Sequence, residues 1–355
     1  MAEKRAYKPK HLFITLVVLI CASCTGINTK SVPKSSNSTT SNGLNDLGLL
    51  LSITCPMPKL CKAVDSGGKV YTFRDGKWSK GLQIRTSAKA TYHSISCASS
   101  NFCMAVGGLS FGQVGGLYSV YVNGSWSGTI YGGKLPPFFD SVACPKTNFC
   151  IAVSSIGKAY VYNNETWSNA TRVVKPDQVD YSQDGSMALY SISCPQVNFC
   201  MAIGTDGYEY VYNHGSWMKG VLIDPHLING SALLSVSCLS MTSCIAGGEN
   251  GYVYIYTNGS WKGSQVLTNG LLANQGIYAV SCMRNENCVA LSHNGYAYMF
   301  LDGTWSGGKL IDPNGMAGSI VCPQINTCMA VDEIGYIVTY HNGAWSQKVR
   351  ILEAS

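Results

Sequence analysis

Charge is scarce in this 355-residue chain: Asp, Glu, Lys and Arg together make up 12% of it. The net charge of +6 is half local, because residues 1–23 hold Lys4, Arg5, Lys8 and Lys10 against Glu3. Taken from totals of 25 basic and 19 acidic residues, these leave 21 against 18. So weak and dispersed an excess excludes nucleic acid as the expected partner. Long hydrophobic runs are missing too. The apolar stretch at residues 12–22 (LFITLVVLICA) would reach ~17 Å as a helix, short of a ~30 Å hydrocarbon core. Histidines number only 6, and beyond the leader arginine occurs only as Arg74, Arg85, Arg172, Arg284 and Arg350. Neither a phosphate-binding loop nor an H-E-x-x-H motif occurs. No cofactor and no metal is expected.

Cysteine and tryptophan, by contrast, are plentiful and ordered. Seven C-x5-C pairs recur: Cys55/Cys61, Cys97/Cys103, Cys144/Cys150, Cys194/Cys200, Cys238/Cys244, Cys282/Cys288 and Cys322/Cys328. Each is followed by one tryptophan, namely Trp78, Trp126, Trp167, Trp217, Trp261, Trp305 and Trp345. From second Cys to Trp is 17 positions in six units and 23 in the second. A repeat this regular overrides the domain count that length alone would suggest. Even pairing, with no thiol left over in the repeats, predicts seven disulfides and an oxidising compartment. Each disulfide is expected to staple the first hairpin of its own unit across the loop. Zinc is the rival reading, but metal sites favour C-x2-4-C spacing with further Cys or His close by.

Each unit reads as four strands. In the fourth unit, Ser191-Ile192-Ser193-Cys194 alternates like a half-buried strand, and the position two before the first Cys is β-branched in all seven units. The Ala two after the second Cys, from Ala63 to Ala330, suggests close approach of neighbouring sheets. Third and fourth strands are joined by Asn-Gly, Asp-Gly or His-Gly, residues suited to a type I′ hairpin; Asn164-Glu165 breaks the pattern. Such a turn places the residue five before each Trp directly opposite it, and that residue is always Phe or Tyr. These aromatics read as hairpin and inter-sheet core, or alternatively as a ring of sugar-stacking rings.

Seven units of four strands predict an all-β fold: a seven-bladed β-propeller over residues 46–355, with four antiparallel strands and one disulfide per blade. Whole blades match whole repeats, with no strand exchanged between first and last. Ahead of them, residues 1–23 run basic, apolar and then small, the order of an export signal. Residues 24–45, rich in Ser, Thr and Asn, are expected as a tether. Ala22-Ser23-Cys24 resembles the bacterial lipoprotein lipobox, with Cys21 where that motif has Leu. The resemblance implies lipidation of Cys24 and an extracytoplasmic, membrane-anchored protein, with plain secretion as the alternative.

The [N/D]-G-x-W turn resembles a shortened Asp-box of sialidase-like propellers, although Asp75 and Asp302 sit two residues closer to Trp than in that motif. The S-x-S-C-P-x4-C-x-A-V string is similar to repeats of uncharacterised secreted bacterial proteins. A Trp-Asp dipeptide, the mark of WD40 repeats, closes no unit, and the Gly-Gly of kelch repeats does not fall at regular positions. The sialidase resemblance implies a glycan-active hydrolase or lyase as the alternative function. That chemistry needs an arginine cluster and paired acids, which the scattered arginines do not supply.

The second-to-third-strand loops and the blade-to-blade links share one face, and length varies there. Unit two has extra residues around 107–116, including Phe111 and Gln113, and the link after Trp167 is long, carrying Asp177, Asp180 and Tyr181 within 174–184. The same loops carry Asp65, Asp206, Glu249, Asp332 and Glu333, read either as solvated turn residues or as a cation or polyol site. Insertions on one face of a repeat fold are where binding develops. The expectation is a monomeric binding or interaction module of the cell envelope, its ligand an envelope protein or a glycan. A purely structural envelope protein is the remaining alternative.

Overall fold

Seven separate antiparallel sheets, each made of strands consecutive in the chain, build the molecule. In this computed structural model the described residues are 48–85, 90–109, 115–131, 136, 138–175, 188–224, 232–249, 251–267, 276–283, 287–314, 317–324 and 326–352. Blade one shows the plan: Leu50–Met57, Leu60–Asp65, Lys69–Arg74, then an outer strand in two pieces, Lys77–Trp78 and Leu82–Gln83. Only blade five runs its outer strand unbroken, Ser260–Val266. Splitting keeps the rim edges very short, which limits edge-to-edge pairing with other chains. Blade seven ends in its own outer strand, Ala344–Trp345 and Val349–Arg350, so the ring closes without strand exchange.

The turn chemistry sets the registers. All seven third-to-fourth turns place both central residues at positive φ, from Asp75 (48°) and Gly76 (89°) to Asn342 (48°) and Gly343 (90°). This is the type I′ geometry, whose twist matches that of the flanking strands. It pairs Phe73 with Trp78, Tyr121 with Trp126, Tyr162 with Trp167, Tyr212 with Trp217, Tyr256 with Trp261, Phe300 with Trp305 and Tyr340 with Trp345. Ring centroids in these pairs lie 5.1–5.5 Å apart. Each tryptophan is half-buried and packs against the junction with the preceding blade; Trp217, for instance, lies on the cluster of Ile151, Val153 and Tyr210.

The hydrophobic core is divided into seven clusters, one per blade junction, including one that joins blade seven to blade one through Met329, Val331 and Ile337 against Leu50, Ile53 and Ala63. The repeated Ala pairs with the repeated β-branched residue in every blade, as in Ile53 with Ala63 and Ile192 with Ala202, and both are buried.

Disulfides join all seven cysteine pairs, each across six residues at the first-to-second-strand end. On the chain-entropy account each loop closure contributes about 2 kcal/mol. The pairing follows the spacing, and each bridge staples the first hairpin of its own unit. The second cysteines, Cys61, Cys103, Cys150, Cys200, Cys244, Cys288 and Cys328, are at most 2% exposed. Each stands at or near the start of a second strand, and those strands are buried along almost their whole length between neighbouring blades. These seven are therefore core residues and form no part of a ligand-accessible site. Their partners Cys55, Cys97, Cys194, Cys238 and Cys282 are half-buried, while Cys144 and Cys322 are buried as well.

The first strands stand around a common axis, each packed against the first strands of both neighbours. The Ser residues of the S-x-S-C string tie them together. Ile95 N–H donates to Ser52 Oγ and Cys97 N–H to Thr54 Oγ1, across the first junction. Equivalent bonds of 3.0–3.3 Å run from Val142 and Cys144 to Ser94 and Ser96, from Ile192 to Ser141, and from Val236 and Cys238 to Ser191 and Ser193. Val280 and Cys282 donate to Ser235 and Ser237, and Cys322 to Ser281. Ala279 leaves the junction of blades six and seven with that single bond. At the closing junction Val321 has no hydroxyl to offer, and among the described residues no bond of this kind reaches blade one.

Candidate functional site

One position in each first strand changes chemistry from blade to blade. Every first strand slips register once near its start, as between Leu50 and Ser52 or between Phe139 and Ser141. The residue left over is Leu51, His93, Asp140, Tyr190, Leu234, Tyr278 or Gly318, four places before the first Cys of each unit. Its neighbours follow a pattern: a residue before it that is buried in blades one to six, then Ser (Ala279 in blade six), then a buried β-branched residue. Such a bulge turns its side chain out of the sheet's alternation. All seven are half-buried on the side away from the core, at the end where first strands start and second strands finish. They form a ring around one axial mouth, on the face of the second-to-third-strand loops.

Two arcs of this ring carry polar groups. On blades two and three, the His93 imidazole stacks on Phe138 at 5.8 Å, and its Nε2 has no partner among the described residues. Burial alone pulls its pKa down to about 4, so it is neutral at pH 7. Asp140 accepts the Ser155 backbone N–H while its Oδ2 is unpartnered among the described residues, and burial pushes its pKa up to about 8. Asp140 is therefore mostly protonated at neutral pH and able to donate. On blades five to seven, Tyr278 lies 4.7 Å from His293, between the fields of Glu249 and Glu333. Burial raises Tyr278, Glu249 and Glu333 and lowers His293, and the charge of Asp332 raises Glu333 further. Glu249 Oε2 accepts the Ala232 N–H at 3.4 Å.

The acids expected on this face therefore divide. Glu249 and Glu333 are half-buried beside the mouth. Asp65 is 1% exposed, and its carboxylate is committed to the turn, accepting Lys69 N–H at 2.8 Å and Tyr71 O–H at 3.0 Å. Asp206 accepts Tyr208 N–H at 3.1 Å and the Tyr210 hydroxyl. Asp332, also buried, accepts Tyr336 N–H at 2.7 Å. Neither Asp65 nor Asp332 is a solvated turn residue, because a buried carboxylate here satisfies amides that the turn would otherwise leave open. Phe111, Gln113, Asp177, Asp180, Tyr181 and Cys24 lie outside the described residues. Val174, expected at the edge of an insertion, is instead fully buried core, its N–H bonded to Gly157 O at 3.1 Å. His93, Asp140, Tyr278 and His293 were not singled out by the sequence. For the first three the signal was a column that changes chemistry from blade to blade; His293 lies in a turn, and nothing in the repeat marks it.

Residues 108–112 read G-x-S-x-G, the string of a hydrolase nucleophile elbow. That motif needs a strand-to-helix turn. Here Phe102–Leu109 and Gly116–Val122 are two strands of one sheet, so the context is a hairpin. Among the described residues no three His, Cys, Asp or Glu side chains gather to hold a metal ion. No helix among them is long and apolar enough to cross a membrane.

No protein-family profile matches the chain, and no curated protein sequence is similar to it. Solved structures do resemble it. A WD40 β-propeller domain of Doa1 superposes with a TM-score of 0.64 at 10% identity, covering 84% of this chain and 93% of that one. U3-55K gives 0.64 at 11% identity, over 80% and 89% of the two chains. A structure described as "YCF48 bound to D1 peptide" gives 0.63 at 12% identity, over 84% and 94%. At such identities the likeness speaks for the fold alone, and the fold is a seven-bladed β-propeller.

Proposed function

We propose that this propeller is an extracytoplasmic binding module that receives its ligand at the axial mouth. The observation that carries this is the bulge column. Between a column of apolar or aromatic residues and one of Ser, it changes chemistry from blade to blade (Leu, His, Asp, Tyr, Gly), and it carries His93 Nε2 and Asp140 Oδ2, without partners among the described residues. Buried polar atoms are hydrogen-bonded as a rule, so two orphans in neighbouring blades of one ring mark where a donor and an acceptor remain to be satisfied. Glu249 and Glu333 flanking Tyr278 favour a basic group, which a carboxylate pair and an aromatic ring both attract. The reading is therefore an exposed segment of an envelope protein that carries Lys or Arg. A structural neighbour described as bound to a peptide is consistent with this use of the fold. Seven disulfides support export. Cys24 is proposed as the lipidated N-terminus of the mature, monomeric protein.

A basic-peptide library and a glycan array, both probed with the mature chain, test the reading. Peptide binding that falls at least tenfold in Glu249→Gln and Glu333→Gln, with folding intact, is the expected result. Glycan binding insensitive to these changes would replace the peptide by a sugar. Intact mass of membrane-extracted protein shows whether the chain starts at an acylated Cys24.

A further inference from the structure

The junction of blades six and seven holds a charged cluster apart from the mouth's bulge ring. Asp312 follows the last strand piece of blade six, Lys309–Leu310, and its N–H donates to Gly295 O at 3.1 Å. Asp332 ends the second strand of blade seven, Thr327–Asp332. The two residues are 5% and 6% exposed, and their side chains meet across the junction. Oδ2 of each has no other partner among the described residues. Lys348 Nζ donates to Asp312 Oδ1 at 2.9 Å and lies 4.6 Å over the Tyr336 ring, while the Arg350 guanidinium is 6.0 Å from the same ring. Asn314 N–H also donates to Asp312 Oδ1, at 3.1 Å. The blade-six turn adds His293, which packs on Tyr278 instead, and the blade-seven turn adds Glu333, a further negative charge.

Two buried carboxyls thus face one contacting ammonium. Two carboxylates held together cannot both ionise without cost, and a proton between them removes the repulsion and supplies the missing donor. Comparison with blade one shows why a donor is missing. There the equivalent Asp65 receives the Tyr71 hydroxyl, whereas the column of Tyr71 holds Val338 in blade seven. We propose that Asp312 and Asp332 share one proton, and that this proton clasps blade seven to blade six and frees it on leaving. The consequence is greatest here because blade seven has one hydroxyl tie on one side and none among the described residues on the other.

Burial, with the bond to Asp312 and its charge, outweighs the Tyr336 amide and Lys348 and pushes the Asp332 pKa up to about 6. The closed joint therefore holds a proton that an opened joint, its carboxyl near the ordinary value of about 4, releases. Clasp stability is complete below about pH 4 and is lost as pH rises through about 6.

Native-state hydrogen exchange on the whole chain, normalised for intrinsic rates, tests this. Opening of blade-seven amides relative to those of blade four should rise about tenfold from pH 5 to pH 8, the factor that such a difference in proton affinity implies. Asp332→Asn, whose amide donates at every pH, should flatten that rise, as should Asp312→Asn. Carbon-detected titration of the Asp332 carboxyl should give a midpoint near 6. A constant ratio in the unaltered protein, asparagine variants that keep the full rise, or a carboxyl titrating near 4 would each overturn the proposal.

Discussion

At the scale of single residues, the turns show how narrowly the repeat specifies its backbone. Six of the seven type I′ turns place Gly second; blade three alone places Glu165 there, at φ 69°. A residue with a Cβ in the left-handed region costs roughly 1 kcal/mol more than Gly, offset in part by glycine's greater freedom when unfolded. Glu165→Gly should therefore raise stability by about 0.5–1 kcal/mol, read as a higher urea midpoint with unchanged slope. An unchanged midpoint would mean that the turn is not under strain. Single residues also mark where sequence reasoning stopped. Asp65 and Asp332 look like exposed turn acids because nothing in their spacing shows the amides of Lys69 and Tyr336 folding back onto them.

At the scale of the strand, the registers of the outer hairpins were legible and the bulges of the inner strands were not. A two-residue turn fixes which residues face each other, so Tyr212 opposite Trp217 follows from counting. A bulge inserts one residue without altering the apolar pattern on either side, so the column from Leu51 to Gly318 left only its variability as a trace. The Ser positions beside it look like plain strand alternation in the sequence, yet they bond the next blade. Ser94→Ala leaves the buried Val142 N–H without its acceptor and should cost about 1–2 kcal/mol in chemical unfolding. Ser319→Ala, at the same column facing the closing junction, should cost nothing measurable. Equal losses in the two variants would show that the hydroxyls act on their own blade rather than on the next.

At the scale of the whole molecule, seven blades and seven disulfides could be read from the repeat, since each unit is complete in itself. The face on which loop length varies is also legible, because the extra residues of units two and three stand out against the repeat. The insertion in blade two offers a clean test. Leu109 N–H already bonds to Gly115 O at 3.0 Å, so the hairpin is closed below the extra residues. Replacing residues 110–114 by Asn-Gly should change stability by no more than about 1 kcal/mol. It should reduce ligand binding at least tenfold, by the assay that first detects the ligand. Full binding by the shortened chain would move the site elsewhere on the ring.

Building each blade from consecutive strands also has a kinetic side. Pairing within a blade, and packing on the blade before it, brings together segments close in sequence, and such contacts form early and fast. One set of contacts differs, that of Met329, Val331 and Ile337 with Leu50 and Ile53, which spans nearly the entire chain. Blades can thus assemble in chain order, each locked by its own disulfide once the chain meets an oxidising compartment, with the ring left open until the last has formed. Closure is then one slow, long-range docking step, and until it occurs the apolar flanks of the first and last blades are both exposed to association with other chains.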